Sequence, residues 1–488
     1  MQFVLAAMIV VPLVGGIAIS LVPRSLARLA RPAALVLAGA DLLGAVWLWV
    51  AFDTRAAGMQ FDLNLPWIPG LGTSFHLGVD GLALPMVFLT ALLTLLAVIA
   101  SRSIEDRVRQ YFTLLLMLEA GLVGVFISLD LLLFYLFWEV VLIPMYFLIS
   151  IWGGENRAYA AIKFFVYTLA GSMAMLGGII SLYLAAGART FDMLQVAAVS
   201  SRLPVGMQTA IFVAIAVGLA VKVPIFPLHT WLPDAHVQAP TAVSVMLAGV
   251  LLKMGSYGFL RLGPSLLPLG FKATLPLIAV LAVISIVYGA AVALMQTDLK
   301  KLVAYSSISH MGYVMLGISA GTAAGFMGAQ VQMFSHGLIA GLLFLLVGAF
   351  YERAHTREIA AFGGVAKAVP ILAGLLVFGS FASLGLPGMS GFVGEFMVIV
   401  GTLGVYPNYA VIAAFAVIIT VGYLLWTLRR VAFGPLNAER AEMPDLSVSE
   451  SLSMSPLCAL ILVVGVLPQT LIGVVSPSVE SIMHLLGH

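Results

Sequence analysis

The chain has 488 residues, of which 62% are hydrophobic and 9% charged, with a formal net charge of +2 and a mean hydropathy of +1.12. So little polar surface cannot coat a water-soluble globule of this size, and an integral membrane protein is expected. The small net charge and scattered basic residues argue against nucleic acid as a partner, and a single cysteine, Cys458, excludes a disulfide framework, a cysteine-held iron–sulfur cluster or a structural zinc site supplied by this chain alone.

The N-terminus begins Met1-Gln2-Phe3 with no basic n-region, and the apolar run continues to about Val22, which predicts a first helix and not a cleaved signal peptide. Stretches long enough to cross roughly 30 Å of hydrocarbon then recur. Their approximate bounds are 3–22, 32–52, 79–100, 111–128, 130–151, 162–186, 208–228, 241–262, 274–295, 302–320, 325–350, 369–403, 408–428 and 455–475, fourteen in all. The twelfth is too long for one straight span. The connections 53–78 and 429–454 are too short, and too rich in Gly and Pro or in acidic residues, for an independent core. Segment 187–207 is expected to hold a short amphipathic helix. The expectation is one all-α membrane domain over 1–488.

Charge placement tests that count. With Lys222 and Lys253 set aside, odd-numbered connections hold sixteen basic residues, among them Arg24, Arg102, Arg157, Lys300, Arg353 and Arg429. Even-numbered connections hold five, namely Arg55, Arg189, Arg202, Arg261 and Lys272. By the positive-inside rule the odd loops are cytoplasmic and both termini lie outside.

Two spans are interrupted. After Lys222 comes Val223-Pro224-Ile225-Phe226-Pro227, and prolines remove backbone donors and kink a helix. In the twelfth span, Ser383-Leu384-Gly385-Leu386-Pro387-Gly388-Met389-Ser390-Gly391 breaks the run shortly before Glu395. Paired breaks at membrane depth point to inverted repeats with an ion site at their interface. Helices 4 to 8 (111–262) and 9 to 13 (274–428) would be the repeats, with 1–100 and 455–488 flanking them. The competing reading is that the prolines only tune helix packing.

Ionisable residues inside the spans are costly and usually face a bundle interior where ions move. Glu139, among aromatics in Phe137-Trp138-Glu139, is expected to pair with Lys222. Approach of the two would hold a proton on the lysine and separation would release it. Lys253 suits a central relay and Glu395 an outward terminal. His310 and His336 fit either proton carriers between those two or hydrogen-bonded packing residues. His229, Asp234 and His236 share one proline-containing loop. They fit a proton inlet or loop-locking hydrogen bonds better than a metal site. Glu119, mid-helix in the fourth span, is a secondary candidate.

The run Lys222-Val223-Pro224-Ile225-Phe226-Pro227-Leu228-His229-Thr230-Trp231-Leu232-Pro233-Asp234-Ala235-His236, with Leu252-Lys253-Met254-Gly255, closely resembles the antiporter-like family of complex I and multisubunit cation/proton antiporters. Phe134-Tyr135-Leu136-Phe137-Trp138-Glu139 and Asp298-Leu299-Lys300-Lys301 through Ser309-His310-Met311-Gly312 match it as well. The resemblance covers nearly the whole chain. It implies proton translocation within NADH:quinone oxidoreductase of a bacterial cytoplasmic (inner) membrane. Glu139 and Lys222 would be the coupling pair, Lys253 the relay, His310 and His336 members of a hydrated axis, and Glu395 the exit. Glutamate at position 395 is the residue expected in one of the three related complex I subunits, whereas the other two and the antiporter relatives typically carry lysine. The resemblance also implies two antiporter-like paralogues as neighbours and a surround of membrane lipid. FMN, iron–sulfur clusters and quinone would belong to partner subunits, with no cofactor or metal in this chain. A sodium/proton antiporter subunit and a ferredoxin-fed relative of complex I are the alternatives.

Overall fold

The computed structural model describes residues 3–56, 58–187 and 189–487, so the whole of the expected first span, 3–22, lies within the described residues. The chain opens with α1 (Val4–Leu21) and α2 (Ala30–Ala51), followed by an antiparallel hairpin of β1 (Gln60–Ile68) and β2 (Thr73–Val79). Next come α3 (Ala83–Ala100), α4 (Val108–Ile127), α5 (Leu131–Val140), α6 (Leu142–Trp152), α7 (Arg157–Ala185) and α8 (Met193–Ser200). The first interrupted span is α9 (Val205–Lys222) and α10 (Trp231–Gln238), leading to α11 (Thr241–Met246) and α12 (Leu252–Leu266). Then follow α13 (Pro268–Leu294), α14 (Leu299–Ala320), α15 (Ala323–Ala354), α16 (Pro370–Ser383), α17 (Ser390–Leu403), α18 (Pro407–Val431), α19 (Val448–Val466) and α20 (Gln469–Leu485).

The fold is a helical membrane bundle, and both expected breaks are present. The chain leaves the helix after Lys222 and again between Ser383 and Ser390, where Gly385 and Gly388 adopt φ of 79° and 92°, values that a side chain rarely tolerates. Short α8 occupies the segment where an amphipathic helix is expected.

Twelve helices among the described residues are long and apolar enough to cross a membrane, against the fourteen spans expected. The two remaining expected spans fall on α14, whose serines and His310 dilute its apolar character, and on α16 with α17, each 14 residues long. The last span also differs from expectation. It ends at Val466, ahead of Pro468, and α20 is a separate helix that the sequence reading had merged with it.

The connections sort into two ends. At one, Arg31 donates to the Ile99 carbonyl, Trp152 Nε1 to Asp106, the Gly154 amide to Gln238 and Arg357 to Val237, while Arg353 pairs with Glu450. At the other, the Leu129 amide donates to His76 and the Met193 amide to Leu129. Ser200 donates to Leu266, Lys272 to Leu486 and Thr322 to Gly401. Every odd-numbered connection in the first set meets only odd ones, and even meets even or the C-terminal segment.

One capping device appears at both ends. Asp130 accepts from the Leu132 and Leu133 amides at the start of α5, and Asp298 accepts from Lys300 and Lys301 at the start of α14. Each aspartate also forms an isolated β-bridge to a later loop, Asp130 with Asp192 and Asp298 with Glu358. Asp130 sits at the even end and Asp298 at the odd end.

Candidate proton path

Lys253 sits in a helix that is continuous from α11 to α12 but widens into a π-turn over Leu247–Leu251. The wider turn brings the Ala248 carbonyl to the lysine five residues on. Lys253 Nζ donates to that carbonyl at 2.5 Å and lies 2.7 Å from Nδ1 of His336 on α15. The ring of His336 is 5.6 Å, centroid to centroid, from that of His310 on α14. His310 Nδ1 is 2.7 Å from Glu395 Oε1 on α17, and its Nε2 is 3.2 Å from Ser383 Oγ at the end of α16. Gln332, one helical turn before His336, donates to the same Glu395 oxygen at 3.2 Å. Lys253, His336, His310 and Glu395 are all buried, so the chain of groups runs through the interior and not along the lipid face.

The broken helix is what admits Glu395 to this line. Beginning again at Ser390, α17 lies so close to α15 that a Cβ on Gly394 would stand 2.5 Å from Gln332 Oε1 and 2.8 Å from its backbone nitrogen. The missing side chain at 394 lets the neighbouring carboxylate reach Gln332 and His310.

Glu139 and Lys222 are near enough to interact electrostatically but form no ion pair within 4 Å. Lys222 Nζ is buried without a hydrogen-bond partner, 5.6 Å from the centroid of the Trp138 ring and 5.5 Å from that of Phe164. Glu139 is half-buried, with Oε1 also unpartnered. The arrangement is the separated form of the expected pair, with the ammonium resting on aromatic faces.

The three polar residues of the α9–α10 region do not converge. Asp234 pairs with Lys163 at 2.6 Å and ties α10 to α7, and His229 packs in a three-ring cluster with Phe226 and Tyr288. His236 stacks on Phe344 at 4.4 Å, within electrostatic reach of both Lys300 and Lys253. Lys300 is buried and donates to the Ala239 carbonyl, and it lines a cleft of about 540 Å³ at the odd end together with Asp298, Arg357 and Glu358. Sequence reading treats Lys300 as an ordinary loop charge.

Glu119 is fully buried in α4, facing Asp41 of α2 within electrostatic reach, and neither carboxylate has a basic partner among the described residues. Asp41 was not singled out from sequence, although its place in the middle of an apolar span marks it. Gln332 was missed too. Its separation of four residues from His336, which puts the two on one helix face, is the signal that finds it.

A family model described as NADH:quinone oxidoreductase/Mrp antiporter, TM, matches residues 128–420. The chain is similar to NADH-quinone oxidoreductase subunit M of Rhodobacter capsulatus, with 43% identity across 99% of this chain and 97% of that protein. It is also 43% identical to NAD(P)H-quinone oxidoreductase chain 4 1 of Synechococcus sp. (strain JA-3-3Ab), across 95% of this chain and 89% of the relative. Among solved structures, a chain of respiratory complex I from Thermus thermophilus with bound NADH matches with a TM-score of 0.91 at 32% identity, covering 99% of this chain and 100% of that one.

Proposed function

The chain belongs to the NADH:quinone oxidoreductase/Mrp antiporter membrane family, and we propose that it is the subunit M of a respiratory complex I, carrying protons from the cytoplasm to the outside while partner subunits transfer electrons. The observation that carries this reading is the buried line Lys253–His336–His310–Glu395, with two heavy-atom separations of 2.7 Å and one ring-to-ring step of 5.6 Å. Each group in it exchanges protons, and hydrogen bonds hold Lys253 to His336 and His310 to Glu395, with the two rings neighbours across the middle step. The chain's own work is to hold, pass and release protons. Flavin, iron–sulfur and quinone chemistry belongs to the partners, which include two antiporter-like paralogues.

Uptake starts at the cleft beside Lys300 and proceeds through His236 to Lys253, since His236 lies within reach of both lysines. Lys222 and Glu139 act on Lys253 from the side. When Glu139 approaches, its charge holds the proton on Lys222, and the two cations then repel. When they separate, as here, that constraint relaxes. Glu395 delivers the proton toward the even end.

Fourteen crossings, inverted repeats over 111–262 and 274–428, and external termini belong to the same reading. The sorting of connections by parity supports the first and last of these. The matching aspartate caps at opposite ends support the repeats, and the excess of basic residues on odd connections sets the direction in a bacterial cytoplasmic membrane. Glu395 favours complex I over a sodium/proton antiporter.

The test is Lys222→Ala in the assembled complex, reconstituted into vesicles. Flavin and cluster content should stay intact while turnover stalls or protons per electron fall; an unchanged ratio removes the proposed pair. Sodium-dependent exchange with no electron donor would favour the antiporter reading, and quinone reduction driven only by reduced ferredoxin would favour the ferredoxin-fed relative.

A further inference from the structure

A second site lies away from the proton path, where α18 ends. Trp426, Arg429 and Arg430 occupy its last turns at spacings that share a face. The Arg430 guanidinium lies 3.9 Å from the Trp426 ring centroid, and its Nε and Nη2 are shielded from solvent with no hydrogen-bond partner among the described residues. Beyond the helix the backbone turns at Gly434, whose φ is 95°, and the segment to Asn437 folds back on Phe362 and Gly363. The Gly364 amide donates to Phe433 and the Asn437 amide to Gly363. The result is a cleft of about 680 Å³ lined by these residues, with both arginines and no acidic side chain in its walls.

Arginines at this end fall into paired and unpaired groups. Arg353 is paired with Glu450 and Arg357 with Asp298, whereas Arg429 and Arg430, like Arg24, Arg28 and Arg102, make no ion pair among the described residues. A cation kept only to orient the helix extends into water. Arg430 is instead pinned on an indole with two donors turned away from solvent. Below the arginines, Val411, Phe415, Ile418 and Leu425, spaced by four, three and seven residues, form an exposed apolar stripe on one face of α18. Cationic donors above an apolar stripe, with tryptophan at the boundary, match an amphiphile better than a free ion.

We propose that this cleft binds the phosphate headgroup of an anionic membrane lipid, with its acyl chains lying along α18. The guanidinium fork suits phosphate oxygens. This proposal does not depend on the proton route.

The assembled complex would be stripped of lipid in detergent and exchanged against micelles of phosphatidylglycerol or phosphatidylcholine, with retained lipid counted by native mass spectrometry. The unaltered complex is expected to hold phosphatidylglycerol that Arg429→Gln/Arg430→Gln retains roughly thirtyfold less well, since each basic residue near the surface contributes about one factor of five. Arg24→Gln/Arg28→Gln at the same end should change nothing at this site. Equal retention by the Arg429/Arg430 variant, or displacement of the lipid by millimolar inorganic phosphate, overturns the proposal. Should that variant fail to assemble, phosphatidylglycerol with a photoreactive acyl chain decides the matter in the unaltered complex. Crosslinks within 411–425 support the site, and labelling of this chain only elsewhere overturns it.

Discussion

Replacing Lys253 by methionine and, separately, by arginine distinguishes a lysine that moves a proton from one that is only a fixed charge. Lys253 Nζ holds two acceptors, the Ala248 carbonyl at 2.5 Å and His336 Nδ1 at 2.7 Å. Methionine nearly preserves the volume but leaves both buried acceptors without their partner, at about 1–3 kcal/mol each. Relief of a buried charge offsets part of that cost, so the complex should still assemble while proton transfer through this chain stops. Arginine keeps the charge and the donors, and a purely electrostatic role would survive it. A guanidinium, however, keeps its proton at any cellular pH. Releasing it at pH 7 costs about 7.5–9 kcal/mol, or roughly five to seven decades in rate. Both variants should therefore lower NADH-driven acidification of sealed vesicles, measured with a pH-sensitive dye at matched electron flux. Lys253→Arg acidifying like the unaltered complex would refute the relay.

Three further outcomes test the supporting structure. Gly394→Ala drives a Cβ against the Gln332 backbone, which cannot swing aside. It should cost about 1–3 kcal/mol and loosen the Gln332–Glu395 contact, seen as a lower Tm together with slower proton release; no change in either contradicts the close approach. Asp80→Asn strips the 2.6 Å ion pair from buried Arg261 and weakens the cap on α3, with an expected loss of about 3–5 kcal/mol that calorimetry of the complex would miss only if the pair is idle. The hairpin clasp should depend on pH. Burial pushes the His76 pKa down, but hydrogen bonds and charge from Asp192 at 2.6 Å and Asp62 at 3.1 Å outweigh it and leave it raised. Burial pushes Asp192 up, but the His76 bond and the Gln195 amide help to leave it lowered. A raised histidine stabilises fully below its unfolded pKa of about 6.5 and loses that contribution as pH rises through the folded value. A lowered aspartate contributes above about 3.9 and loses its share as pH falls through its folded value. Hydrogen-exchange protection of residues 60–79, corrected for intrinsic rates, should therefore be greatest in mildly acid solution and decline on raising the pH. His76→Gln should flatten the profile, and protection that climbs with pH would contradict the clasp.

Which features the sequence revealed follows from the physics of each. Long apolar runs and proline–glycine breaks are local signals, so the bundle and both interrupted spans are legible, as are the isolated charges at Lys222, Lys253, Glu139 and Glu395. The hairpin at 60–79 is harder, because its alternating Leu63, Leu65 and Trp67 lie in a short connection interrupted by Pro66. Its strands pair with each other, and contacts with Ser128, Leu129 and Asp192 from distant loops fasten it to the bundle. Helix α20 was hidden because Leu467-Pro468 divides an apolar run without changing its composition. The π-turn before Lys253 has no compositional mark, and Gln332 carries no charge to draw notice. Whether Glu139 touches Lys222 depends on how α5 and α9 sit relative to one another, which no local pattern fixes.

The central claim is that protons cross this chain through the buried line ending at Glu395. Glu395→Gln tests it most directly, since a carboxamide keeps the shape beside His310 and Gln332 but cannot take up a proton. The measurement is protons translocated per electron by the reconstituted complex, with flavin and cluster content checked on the same preparation. The account predicts a lower ratio with cofactors intact; an unchanged ratio would contradict it.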